Sequence, residues 1–220
     1  MFKDRRDAGI QLAERLTHYK DKDNLLVLAL PRGGVVPGFE VAKALNAPLD
    51  VLIVRKIGFP GQPEFAIGAV AETGAVSMNR SIVERYNVSG DYIEEETARK
   101  KEEIARRVEM YRGGRSIEKL GGRTVILVDD GVATGATMKA GIAALKKEKI
   151  DKLVIALPVA PPSTADELGN MADEVICLET PEDFAAVGGY YYDFTQVTDD
   201  EVVAMLNEAS GFSSSGKRIT

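Results

Sequence analysis

The 220-residue chain holds one cysteine and one histidine, and both scarcities narrow what it can do. A single cysteine, Cys177, excludes an internal disulfide, and its place in the apolar run Val175-Ile176-Cys177-Leu178 marks an inert buried thiol rather than a nucleophile. The lone His18 falls in an N-terminal helical stretch, so a histidine metal cluster cannot be built and a histidine-based triad is not expected. No apolar run has the length needed to cross a bilayer, and residues 1–7, Met-Phe-Lys-Asp-Arg-Arg-Asp, lead into no signal segment, so the cytoplasm is the expected location. Positive charge is not in excess either. With 28 Lys and Arg against 34 Asp and Glu, the formal net charge is −6, which gives no global pull toward nucleic acid or an anionic membrane. A small anionic ligand would need a local cluster of cations.

What is present suits one globular domain. Apolar residues make up 45% and charged residues 28%, enough to bury a substantial core. Asp4–Tyr19 reads as an amphipathic helix with Ile10, Leu12, Ala13 and Leu16 on one face. Leu25–Leu30 is a continuous apolar strand, a helix with Pro37 in its first turn runs to Leu45, and Leu49–Val54 is the next strand. That βαβ unit implies a parallel sheet. Residues 57–66, with two Pro and two Gly, read as a mobile loop, and Ile67–Ala71 and Ala75–Met78 as a hairpin. Asp91–Tyr111 reads as a long charged helix stopped by Gly113-Gly114. Strands are expected at 123–128, 152–157 and 174–178, and helices at 138–147, from a capping box at 163–166, and from about Asp199. The alternation predicts a doubly wound α/β fold with a mostly parallel central sheet. One domain is expected over residues 1–207, with a small hood from about 1–20 and 181–207, and 208–220 as a disordered tail.

The most informative stretch is 125–137, Val-Ile-Leu-Val-Asp-Asp-Gly-Val-Ala-Thr-Gly-Ala-Thr. A buried strand delivers two adjacent carboxylates, Asp129 and Asp130, to its carboxyl end, and a loop of small and hydroxyl residues opens a helix. A helix start offers unpaired N–H groups and a favourable dipole to an anion. Acids beside such a cradle point to a ligand with both hydroxyls and phosphate, a ribose phosphate. Two other phosphate loops do not fit. The P-loop lysine is missing, since Ala136 stands near its place, and no Gly-x-Gly-x-x-Gly occurs here. A second anion loop is Pro31-Arg32-Gly33-Gly34 at the end of the first strand, where two glycines let the backbone approach a ligand and Arg32 supplies charge; a plain glycine turn is the other reading. Arg55 and Lys56 end the second strand, either as ligand-facing cations or as a solvated strand end.

The strand-Asp-Asp-Gly-x-x-x-Gly-x-Thr pattern resembles the motif that binds 5-phosphoribosyl-1-pyrophosphate (PRPP) in type I phosphoribosyltransferases, and all 13 positions fit. The resemblance covers about residues 20–180. The phrases Ala-Leu-Pro-Arg-Gly-Gly-Val, Arg-Lys-Ile-Gly and Ala-Val-Gly-Gly-Tyr-Tyr-Tyr-Asp-Phe look like a bacterial and archaeal branch known mainly as predicted phosphoribosyltransferases. It implies that Asp129 and Asp130 bind the ribose hydroxyls. Gly131, Val132, Ala133, Thr134, Gly135, Ala136 and Thr137 would then hold the 5-phosphate, with Thr134 and Thr137 as side-chain donors. It further implies that Arg32, Gly33, Gly34, Arg55 and Lys56 meet the pyrophosphate, with Asp129, Asp130, Arg32 and Lys56 closest to the chemistry. In this family the loop corresponding to 31–34 often holds a strained or cis peptide. Mg2+ accompanies PRPP in the family; no direct metal ligand can be named from the sequence. The partners implied are small molecules, PRPP and a base, with a homodimer left open.

Phe184–Phe194 holds three consecutive Tyr, and Tyr190, Tyr192 and Phe194 are candidates for the base site; packing of the terminal segment is the favoured alternative. None of the base-selecting segments of the hypoxanthine, adenine, orotate or uracil enzymes is present, so the acceptor stays open. Three functions compete: a transferase acting on a base or amine, a PRPP-sensing regulator without turnover, and a nucleotide hydrolase or phosphorylase. The acidic balance disfavours a nucleic-acid-binding regulator despite a local basic stretch at Arg106, Arg107, Arg112 and Arg115.

Overall fold

Strand Leu25–Ala29 (β1) is apolar at every position, and such a run can be covered only if both faces of its sheet are buried. The computed structural model describes residues 1–212, except the Glu64 side chain, and shows how this is done. Five parallel strands form the central sheet in the order β2-β1-β6-β7-β8, with β2 Leu49–Val51, β6 Thr124–Val128, β7 Lys152–Val159 and β8 Glu174–Glu179. Side chains alternate strictly between faces. Leu25, Val27, Ile126, Val128, Val154 and Ala156 meet helices α1 (Arg5–Arg15) and α2 (Val35–Leu45). Leu26, Leu28, Val125, Leu127, Leu153 and Ile155 meet α5 (Ala136–Leu145) and α6 (Pro162–Gly169). The expected doubly wound α/β arrangement is therefore present.

A second, antiparallel sheet β3-β4-β5 stands beside the first and corrects two expectations. The run 49–54 is not one strand: β2 stops at Val51 and β3 (Val54–Phe59) belongs to the other sheet. Residues 57–66 are not a loop. They are the inner part of a hairpin in which Phe59 pairs with Gln62 and β4 runs over Gln62–Ala71. The Gly and Pro that suggested a loop mark a bulge and a turn instead. A Cβ on Gly58 would stand 2.6 Å from Pro63 Cα, and Gly61 has φ +75° in the turn. The hairpin at Glu72–Gly74 forms as expected, leading to β5 (Val76–Met78).

Helices follow their capping chemistry more closely than their expected limits. A short helix α3 (Arg80–Arg85), unforeseen, is capped by Asn79. The long helix α4 (Gly90–Arg112) is capped by Ser89 and ends on left-handed Gly113. Ile10 lies exposed on α1, whose buried face is Ala8, Leu12 and Ala13. The capping box expected at 163–166 is absent: α6 starts at Pro162, and Thr164 is used elsewhere. The last helix, α7 (Asp199–Ala209), carries its own capping box between Thr198 and Glu201. It passes the boundary expected at Asn207, and Phe212 rests on Phe39 at 5.1 Å between ring centroids. Residues 213–220 of the expected tail lie outside the described residues.

Candidate active site

Ligands in open parallel sheets collect where the strand order reverses, outside the carboxyl ends. Here the chain leaves β1 toward β2 on one side and later returns to place β6 on the other, so the reversal lies between β1 and β6. Ala29 and Val128 are register partners at the ends of these strands. The two loops singled out in the sequence, 31–34 and 129–137, therefore leave the sheet side by side.

Their contact is close enough to require glycine. A Cβ on Gly33 would fall 2.0 Å from Asp130 Oδ2, and one on Gly34 would fall 2.9 Å from Asp129 Oδ1. The Pro31–Arg32 peptide is cis, a conformation of the kind the resemblance implied for this loop. Asp129 accepts the Asp130 backbone N–H at 2.9 Å. Burial, and next the charge of Asp130, push the Asp129 carboxyl well above the ordinary carboxylate range.

The rest of the motif divides into inward and outward parts. Gly131 (φ +142°) packs against Val187 and Val159, and Val132 is buried with its N–H bonded to Val159 O at 3.0 Å. Ala133 and Thr134 are exposed. The Thr164 hydroxyl donates to Ala133 O at 2.7 Å and so ties the loop to α6. Helix α5 begins at Ala136, two residues before the expected start, with Gly135 as a left-handed N-cap that supplies no side-chain acceptor. Its first N–H groups are thus left to a ligand or water. Thr137 lines a cavity of about 310 Å3 together with Pro31, Arg55 and Lys56.

Arg32 and Arg55 are held by acids of other elements. Arg32 Nη1 stands 3.8 Å from Asp199, in the first turn of α7, and Tyr111 donates a hydrogen bond to the same carboxylate. Burial and that bond push the Tyr111 phenol up to about 12. Arg55 Nε is 3.8 Å from Glu103 of α4, and burial, then neighbouring Arg107, lower its pKa. No group of three His, Cys, Asp or Glu side chains arranged to hold a metal occurs among the described residues.

Sequence reasoning missed Arg5, the first residue of α1. Its Nε donates to Asp130 Oδ2 at 2.6 Å, its Nη1 donates to Thr195 O at 2.8 Å, and its guanidinium sits 3.7 Å from the Phe194 ring centroid. The one local signal was a cation at a helix start, where the dipole disfavours it. Tyr191 is buried and donates to Asp130 O at 2.5 Å. Burial, then the Asp130 charge, raise its pKa. The N-terminal segment also meets residues 190–192: Phe2 N donates to Tyr190 O at 2.8 Å and Tyr192 N to Phe2 O at 3.0 Å.

The residues expected under a base are dispersed. Tyr190 stacks on Phe184, Tyr192 is 78% exposed, and one face of Phe194 is covered by Arg5. Cys177 lies away from the site, with its thiol pushed up to about 11 by burial.

Comparison with known proteins identifies the family and the fold. A model described as "Phosphoribosyl transferase domain" matches residues 3–195. Two Mycobacterium tuberculosis proteins, from strains CDC 1551 / Oshkosh and H37Rv and each named "Putative phosphoribosyl transferase", are 47% identical over 209 residues, covering 95% of this chain and 47% of theirs. The chain thus spans about half the length of these curated relatives. A crystal structure of TT1426 from Thermus thermophilus is 47% identical with a TM-score of 0.82, covering 94% of this chain and 98% of that one. The AQ2163 protein of Aquifex aeolicus shares the fold alone, at 12% identity and a TM-score of 0.50 over 81% of this chain and 77% of its own. No helix among the described residues is long and apolar enough to cross a membrane.

Proposed function

Because the chain belongs to the phosphoribosyl transferase domain family, we propose that it transfers a 5-phosphoribosyl group from PRPP to a nitrogenous base or amine with release of pyrophosphate. The observation that carries this reading is the contact of Gly33 and Gly34 with the Asp129–Asp130 carboxylates, beside the uncapped start of α5. That contact supports the reading because it brings the acid pair, the start of α5 and the glycine loop close together.

In this reading Asp129 and Asp130 accept hydrogen bonds from the ribose hydroxyls. The amides of 133–137 and the hydroxyls of Thr134 and Thr137 hold the 5-phosphate. As the bond from ribose C1 to the diphosphate oxygen breaks, its electron pair leaves with the diphosphate, and the acceptor nitrogen forms the new bond to C1. The Gly33 amide and the cations Arg32, Arg55 and Lys56 stabilise the departing charge, which is where most of the acceleration arises. Tyr191, Phe194 and the N-terminal strap of residues 1–5 exclude water from the oxocarbenium-like centre. The oxygen donors present, Asp129 and Asp130, suit a hard cation. Those two carboxylates would hold Mg2+, which when bound with PRPP supplies neutralisation of the diphosphate charge.

The test is thermal stability in Mg2+ with PRPP, compared with ribose 5-phosphate, pyrophosphate, ATP and NAD. Saturation at a hundredfold over Kd adds about 2.7 kcal/mol, or roughly 5–11 °C for a domain of this size. A shift specific to PRPP supports the donor assignment and opens a screen of bases for turnover. The absence of any shift would refute it, and a shift without turnover on any base would favour the sensing function.

A further inference from the structure

The cavity bordered by Pro31, Thr137, Arg55 and Lys56 has a wall that no motif indicated. Lys100 lies midway along α4, on a helix whose composition reads as solvent-facing, yet it lines the cavity with Pro31, Arg55, Lys56 and Thr137. Its side chain is only 16% exposed. Glu103, one turn on, faces the same cations. Its Oε1 accepts from Lys100 Nζ at 2.9 Å, and its Oε2 stands 3.8 Å from Arg55 Nε.

We propose that Lys100 is a further contact for the diphosphate end of the phosphoribosyl donor, and that Glu103 is the internal anion which the ligand displaces. This rests on the phosphoribosyl-transfer reading above. An ordinary i,i+3 pair on a helix surface contributes a few tenths of a kcal/mol and needs neither burial nor a third partner. Here one carboxylate joins cations from two elements, α4 and β3, at the edge of a cavity whose lining includes three cationic side chains and no carboxylate. Such a carboxylate limits repulsion among the cations while the site is empty. A diphosphate brings more negative charge and more acceptor oxygens than one carboxylate, so it competes favourably for the same donors.

The assignment predicts opposite signs for two neighbouring substitutions. The measurement is calorimetric titration with inorganic pyrophosphate and Mg2+ at fixed ionic strength, with ribose 5-phosphate as the control ligand and melting temperature as the check on folding. Lys100→Met weakens pyrophosphate by about ten- to a hundredfold, the value of one charge-assisted hydrogen bond, and leaves ribose 5-phosphate within about twofold. Lys100→Arg restores most of the loss. Glu103→Gln, which removes the competing charge and keeps the shape, tightens pyrophosphate a few-fold. A purely structural role for the pair would weaken both ligands in both variants, and that result overturns the proposal. Unchanged pyrophosphate affinity in Lys100→Met removes Lys100 while the donor reading stands. An unaltered chain that binds neither ligand overturns both.

Discussion

Replacing Arg5 by Met should be among the most damaging single changes to this protein outside its core. The substitution keeps an unbranched apolar stem and removes the guanidinium and its charge. In the folded state Arg5 and Asp130 side chains are 10% and 14% exposed and 2.6 Å apart. Breaking a buried pair by deleting one partner costs about 3–5 kcal/mol, chiefly because the other charge is left without compensation. The residual exposure places the value near the lower end, about 3 kcal/mol. Loss of the bond to Thr195 O and of the contact with Phe194 adds roughly 1–2 kcal/mol. At about 2–4 °C per kcal/mol for a chain of this length, the midpoint should fall by roughly 8–20 °C. The decisive assay is a double-mutant cycle in urea with Asp130→Asn. Removing the abandoned charge should recover about 2 kcal/mol, so the double variant should be more stable than Arg5→Met alone. Additive losses would refute the reasoning, because they would mean that the two groups do not interact in solution.

Two further outcomes follow from the same site. The folded-state pKa of Asp129 is raised above its unfolded value, so the native state binds more protons, and stability should fall as pH rises above the ordinary carboxylate range. Asp129→Asn should flatten that slope in melting curves from pH 4 to 8, raise the midpoint at the alkaline end, and abolish PRPP binding; an unchanged slope would remove Asp129 as its source. Thr164→Val removes the hydroxyl that holds Ala133 O and should cost about 1 kcal/mol while weakening ribose 5-phosphate several-fold. Equal affinity in calorimetry would show that the loop keeps its shape without that tether.

Much of the architecture was legible from local pattern alone. Runs such as Leu25–Ala29 and Thr124–Val128 must be covered on both faces, so they report a parallel sheet directly. The acid pair and its loop lie within 13 consecutive residues, so their order along the chain already sets which group stands at the strand end and which at the helix start. The hairpin 54–71 was misread because glycine and proline serve bulges as well as loops, and only the partner strand distinguishes them. Arg5, Lys100 and Asp199 were beyond reach for a different reason. The Arg5–Asp130 contact joins residues 125 positions apart, and the one local signal, a cation at a helix start, does not name its partner. A long-range ion pair depends on two surfaces being packed against each other, which composition and periodicity do not encode. The sequence by itself therefore determined the layered fold and the acid-pair loop at 129–137, since both depend on short-range burial and hydrogen bonding. Only the tertiary structure decided which distant charges compensate that motif, because an electrostatic partner is chosen by distance in space and by the burial that strengthens it.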